Sequence, residues 1–60
     1  MERVTKQKFE SILAANSLKP SNGEATTDIM PSKIVYHKDG VEIARIEMYP
    51  KGVKLYYGKN

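Results

Sequence analysis

Three kinds of hydrophobic spacing succeed one another along the chain. Over residues 5–16, TKQKFESILAAN, the apolar Phe9, Ile12 and Leu13 fall at i, i+3 and i+4, which places them on one face of a helix. Residues 17–32 carry two prolines, a glycine and mostly small polar side chains, a composition that predicts a long loop. From Lys33 onward the stretches KIVYHK, VEIARIEM and VKLYYG are rich in β-branched and aromatic residues, which predicts strands.

The helix carries its own start and stop signals. Thr5 is the expected N-cap, its hydroxyl accepting from an orphan backbone N–H. Val4 and Phe9 sit at the spacing of a hydrophobic staple. Lys6 and Lys8 in the first turn oppose the helix dipole, costing about 0.3–1 kcal/mol each at most. Asn16 suits a left-handed stop, Leu18 can pack back on the last turn, and Pro20 forbids continuation.

Asp39-Gly40 is a strong hairpin signal, and Pro50-Lys51-Gly52 marks a second turn. Three strands joined in sequence by two tight turns predict an antiparallel meander over residues 33–58, with residues 41–48 in the middle. Its register follows from which pairing groups apolar side chains. At the second turn, a four-residue loop sets Met48 against Val53, Ile46 against Leu55 and Ala44 against Tyr57. A three-residue loop sets Glu47 against Leu55 and Arg45 against Tyr57, and groups them less well. At the first turn, a three-residue loop over residues 38–40 sets Ala44 against Ile34 and brings Tyr36 to that side. A two-residue Asp39-Gly40 turn sets Ala44 against Val35 instead. The favoured registers gather Ile34, Tyr36, Ala44, Ile46, Met48, Val53, Leu55 and Tyr57 beneath the helix.

VEIARIEM then poses a problem, because it is apolar on both faces. The side away from the helix carries Val35, Val41, Ile43 and Tyr56 among Lys33, His37, Arg45, Glu47 and Lys54. A contiguous apolar patch of this kind marks an interaction surface. The alternative is a bulge within the strand that turns Val41 and Ile43 back to the core. The interaction surface is the favoured expectation. A short edge strand over residues 26–30 is a further option, and Ile29 and Met30 are expected to pin the end of the loop.

Size sharpens the same point. Sixty residues make one domain, spanning 1–60, and such a chain buries only about 60% of its unfolded surface. There is no cysteine to form a disulfide, and His37 is the only histidine, so neither a zinc site nor any other metal or cofactor is expected. Self-association is the support that remains. The longest uninterrupted apolar run, residues 12–15, is four residues against roughly 20 for a membrane span. The start, MERVTKQK, has no secretory pattern, so a cytoplasmic protein without a membrane partner is expected. The net charge of +3 comes entirely from residues 33–60, which hold six basic and three acidic side chains. That leans toward an acidic partner, protein or nucleic acid.

Little catalytic chemistry is legible. His37 has no nucleophile to activate, and Ser11, Ser17, Ser21 and Ser32 lie in no nucleophile motif. Glu42 and Glu47, five apart on a strand, should point to opposite faces. Gly23, Gly40, Gly52 and Gly58 are scattered and read as turn residues rather than a phosphate loop. The expectation is therefore an α+β domain, one N-terminal helix on a three-stranded antiparallel meander, acting as a homodimer. Its expected role is non-enzymatic. It would bind and regulate or inhibit a larger, unidentified protein, in the manner of small bacteriophage or bacterial accessory proteins. Val35, Val41, Ile43, Arg45 and Tyr56 are the candidate interface. The alternative is nucleic-acid binding through Lys33, His37, Arg45, Lys54 and Tyr56, with the aromatic groups stacking on bases.

Overall fold

The computed structural model describes residues 1–26 and 31–59. Its elements in chain order are β1 (Glu2–Val4), α1 (Lys6–Ala15), β2 (Glu24–Thr26), β3 (Ser32–Lys38), β4 (Val41–Met48) and β5 (Lys54–Gly58), with 3₁₀ turns at Pro20–Asn22 and Pro50–Gly52. All five strands form one antiparallel sheet in the order β1-β5-β4-β3-β2, and α1 packs on one side of it. The α+β class therefore holds, but the expected three-stranded meander is corrected to a five-stranded sheet: β3, β4 and β5 pair in sequence at its centre, and β1 and β2 add an edge strand on either side. The added strands are three residues each, too short to show a period of two. Of the proposed edge strand over residues 26–30, Thr26 closes β2, while residues 27–30, and with them Ile29 and Met30, lie outside the described residues.

The helix begins as its sequence indicates. Thr5 Oγ1 accepts from Lys8 N at 3.1 Å, and Val4 lies half-buried against the cluster that contains Phe9. Its end differs in one residue. Asn16 keeps a negative φ of −103° and donates Nδ2 to Ile12 O at 2.8 Å, and Ser17 is the left-handed residue with φ 57°. Ser17 N then bonds Ala14 O at 3.1 Å and Leu18 N bonds Leu13 O at 2.9 Å, the paired bonds of a Schellman stop. This turns Leu18 back onto the core.

The core is Phe9, Ile12 and Leu13 from α1 against Tyr36, Ile43 and Ala44 from the sheet, edged by Val4, Leu18, Ile34, Ile46 and Tyr56. Phe9 meets the ring of Tyr36 edge-on at 5.5 Å and that of Tyr56 at 5.1 Å. Both predicted registers need correction. Asp39 and Gly40, with φ of 52° and 78°, form a two-residue turn that pairs Lys38 with Val41. The pairing then shifts between Tyr36 and His37, so that Tyr36 faces Ala44 and Ile34 faces Ile46. The face expected for β3 is recovered, through a bulge rather than a longer loop. On the other side, Met48 pairs with Lys54, Glu47 with Leu55 and Arg45 with Tyr57, the register that groups apolar residues less well. Tyr49 N bonds Val53 O at 2.8 Å across the turn, with Lys51 and Gly52 left-handed between them.

The reason for that second register is space. Gly58 closes β5, buried, and the tip of Ile12 occupies the room a side chain would need. Gly58 and Tyr56 on the helix side give α1 one close approach and one aromatic contact, whereas Leu55 and Tyr57 there would lift it. Gly23 has a comparable role beside β3, where a Cβ would collide with Ile34 Cγ2 and come within 2.7 Å of Tyr36 Cζ. Tyr36 cannot yield, because it is 2% exposed and donates its hydroxyl to Pro20 O at 2.7 Å. Gly23→Ala is therefore expected to lower the unfolding free energy by about 1–3 kcal/mol in urea denaturation, through overpacking. An unchanged midpoint would mean that the segment around Pro20–Asn22 does not rest on Tyr36.

Candidate functional site

Helix α1 covers one side of the sheet, and no described element covers the other. Alternation along the strands places Arg3, Glu24, Lys33, Val35, His37, Arg45, Glu47, Leu55 and Tyr57 on that uncovered face. Glu42 joins them because of the bulge. Ile43 is the extra residue of β4 opposite β3, so Ile43 and Ala44 both turn to the core and Glu42 moves to the open side, opposite His37. The expectation that Glu42 and Glu47 point to opposite faces is thereby corrected.

The two carboxylates hold one guanidinium between them. Arg45 Nε donates to Glu47 Oε2 at 2.9 Å and Nη1 donates to Glu42 Oε2 at 3.1 Å. The same guanidinium stacks 4.6 Å above the ring of Tyr57, its neighbour on β5. Tyr49 completes the arrangement by donating its hydroxyl to Glu47 Oε1 at 2.8 Å. Glu47 is only 8% exposed on a face without a helix, and it remains charged because both of its oxygens are engaged. The Tyr49 hydroxyl, the Arg45 guanidinium and the charge of Lys33 together hold its carboxyl below the usual glutamate range, against the upward pull of burial. The Tyr49 phenol is pushed up in return, mainly by its bond to that carboxylate.

The sequence-predicted site residues separate into distinct places. Val35 and Arg45 lie half-buried on the uncovered face, together with Lys33, while His37 is exposed there. Ile43 is in the core, and Tyr56 packs on Phe9, so the interface assigned to these two is corrected: the helix occupies their side. Lys54, two residues before Tyr56 on β5, shares its face and is likewise on the helix side and exposed. Val41 stands at the hairpin end, 46% exposed. Leu55, Tyr57 and Tyr49 belong to the site without having been expected there. Glu47 facing Leu55 was the signal for them, and it required the other register. Among the described residues no group of three His, Asp or Glu side chains could hold a metal ion, and no helix is long and apolar enough to cross a membrane.

No family model, curated protein or solved structure matches the chain. The fold and the site thus define a small α+β domain with one self-neutralised sheet face, and the chemistry of that face has to be read from its own residues.

The lowered carboxyl of Glu47 has a pH consequence. A carboxylate whose folded-state pKa lies below its unfolded value contributes stability that is fully present above the unfolded value, about 4.3, and is lost as pH falls through the folded one. Wild-type stability is expected to drop more steeply below about pH 4.5 than that of Glu47→Gln. In Tyr49→Phe the carboxyl of Glu47, followed by NMR titration, should move upward. A titration unchanged by Tyr49→Phe would remove Tyr49 from the account.

Proposed function

We propose that this chain is a non-enzymatic protein-binding domain. It self-associates through the uncovered sheet face and regulates or inhibits a larger protein. The observation that supports this best is the clamping of Arg45 between Glu42 and Glu47 above Tyr57. A cation held this way is already neutralised and has little to offer a phosphate backbone. It is also ordered in advance, and an ordered Arg beside Tyr, with Val35 and Leu55 around them, has the composition of protein interfaces. Burying that face against a second copy also extends the apolar area available to a chain with so small a core.

Nucleic-acid binding is less well supported. Two of its five residues, Tyr56 and Lys54, lie on the helix side, and a third, Arg45, is engaged by carboxylates. In the protein-binding reading, the exposed turns at the two ends of β4 remain free for the larger partner, with Val41 and Val53 46% and 50% exposed beside them. Sedimentation velocity over a concentration series reports on self-association. The wild type should shift toward a dimer, and Val35→Lys should remain monomeric with an unchanged circular dichroism spectrum. Labelled DNA and RNA should show no retardation at physiological salt. A monomeric wild type throughout, or a retardation that weakens steeply with salt and is lost in Arg45→Ala, would overturn the proposal.

A further inference from the structure

The uncovered face has an electrical direction. The pairing register sets Glu24, Val35, Arg45, Tyr57 and Arg3 in one continuous row across β2, β3, β4, β5 and β1. The row begins with an exposed anion on one edge strand and ends with an exposed cation on the other, with the clamped Arg45 at its midpoint. With strands about 4.8 Å apart, the two edge charges are separated by roughly 19 Å.

We propose that the partner on this face is a second copy of the chain, related by a two-fold axis that runs close to β4. The proposal rests on the reading of this face as a self-association surface and specifies its geometry. A two-fold axis along the central strand exchanges the two edges, so Arg3 of each copy meets Glu24 of the other, twice. A two-fold axis along the row would keep each edge over its own counterpart, setting Arg3 against Arg3 and Glu24 against Glu24. Charge complementarity therefore selects the first arrangement.

The interior of the row agrees with this choice. Exchange about β4 sets Val35 of one copy over Tyr57 of the other. In the adjacent row, where Lys33, Glu47 and Leu55 are in register, it sets the lysine stem of one copy over Leu55 of the other. Arg45 approaches its own counterpart at the axis, and this is tolerated because each guanidinium sits between two carboxylates. Packed sheets lie about 10 Å apart, a gap that arginine and glutamate side chains bridge from opposite sides. Aligned sheets cross at about 30°, so each β4 would lie about 15° from the axis. The face measures roughly 20 Å each way, and a pair of copies would bury on the order of 1,000 Å², the low end for specific association. The dimer is thus a concentration-dependent one.

Charge reversal tests the axis. Arg3→Glu and Glu24→Arg, each on an exposed edge position, should each raise the dimer dissociation constant about tenfold in sedimentation equilibrium. Combining both changes in one chain should restore it, and so should mixing the two single variants, because the mixed pair again sets acid against base at both contacts. Circular dichroism melting of each variant confirms folding. If the single variants dimerise like the wild type while Val35→Lys does not, the face is the interface and the axis is wrong. If the single variants weaken the dimer and neither the double variant nor the mixture restores it, direct pairing of Arg3 with Glu24 is overturned. A wild type that never dimerises overturns the reading of the face along with the axis.

Discussion

One extra residue in β4 determines which side of the sheet its neighbours meet. Ile43 has no counterpart on β3, and the ladder on that side slips by one between Tyr36 and His37. The ladder toward β5 does not slip, since Lys59 N still bonds Ile43 O at 2.9 Å. The bulge is therefore one-sided and forfeits little pairing. What it gains is burial of Ile43 beside Ala44 under the helix, where an isoleucine removed from water is worth about 1.5–3 kcal/mol. A single helix of ten residues can cover only part of a five-stranded sheet. The bulge concentrates the apolar side chains of β4 where that helix lies.

The same slip arranges the opposite face. Without it, Glu42 would share the helix side with Ala44, and Arg45 would have one carboxylate instead of two. With it, the charges at Glu42, Arg45 and Glu47 stand on one surface and satisfy one another. Glu47 can be nearly buried without a covering element because Arg45 and Tyr49 take up both of its oxygens. Such groups are asymmetric in energy. Together they contribute modestly, while removing one partner leaves a desolvated charge behind. Core and open face are thus set by one backbone irregularity and are not independent designs.

This explains what could be read from the sequence and what could not. The helix was legible almost to the residue, because caps and stops are local: Thr5 acts on Lys8, and Leu18 returns to Leu13. Only the left-handed position moved, from Asn16 to Ser17, since Asn16 found a carbonyl for its side chain. The face of β3 and of residues 44–48 in β4 was legible through its apolar content, although the turn that produces it was not, and the bulge that brings Ile43 to the core was the less favoured of two readings. For β5, counting apolar residues gave the wrong side. Gly58 and Tyr56 fill the space beneath α1 better than Leu55 and Tyr57, because Ile12 comes too close for a side chain at position 58. Tyr57, apolar by count, serves instead as the platform for Arg45. Close approach between elements distant in sequence is a property of three-dimensional packing, and no periodicity within a strand encodes it.

The placement of charge bears on the kind of partner this domain suits. The basic excess of residues 33–60 does not gather on the uncovered face, whose central cation is neutralised there. Lys38, Lys51, Lys54 and Lys59 are exposed around the turns and strand ends. Charge at a perimeter steers an encounter and sets orientation, but it does not form the continuous track that a nucleic-acid strand follows. In the proposed reading, an acidic protein surface meeting the turns would use these lysines, and the sheet face, with charges opposed in sign at its edges, would meet a copy of itself. The two surfaces lie on different parts of the molecule, so one can be occupied without closing the other.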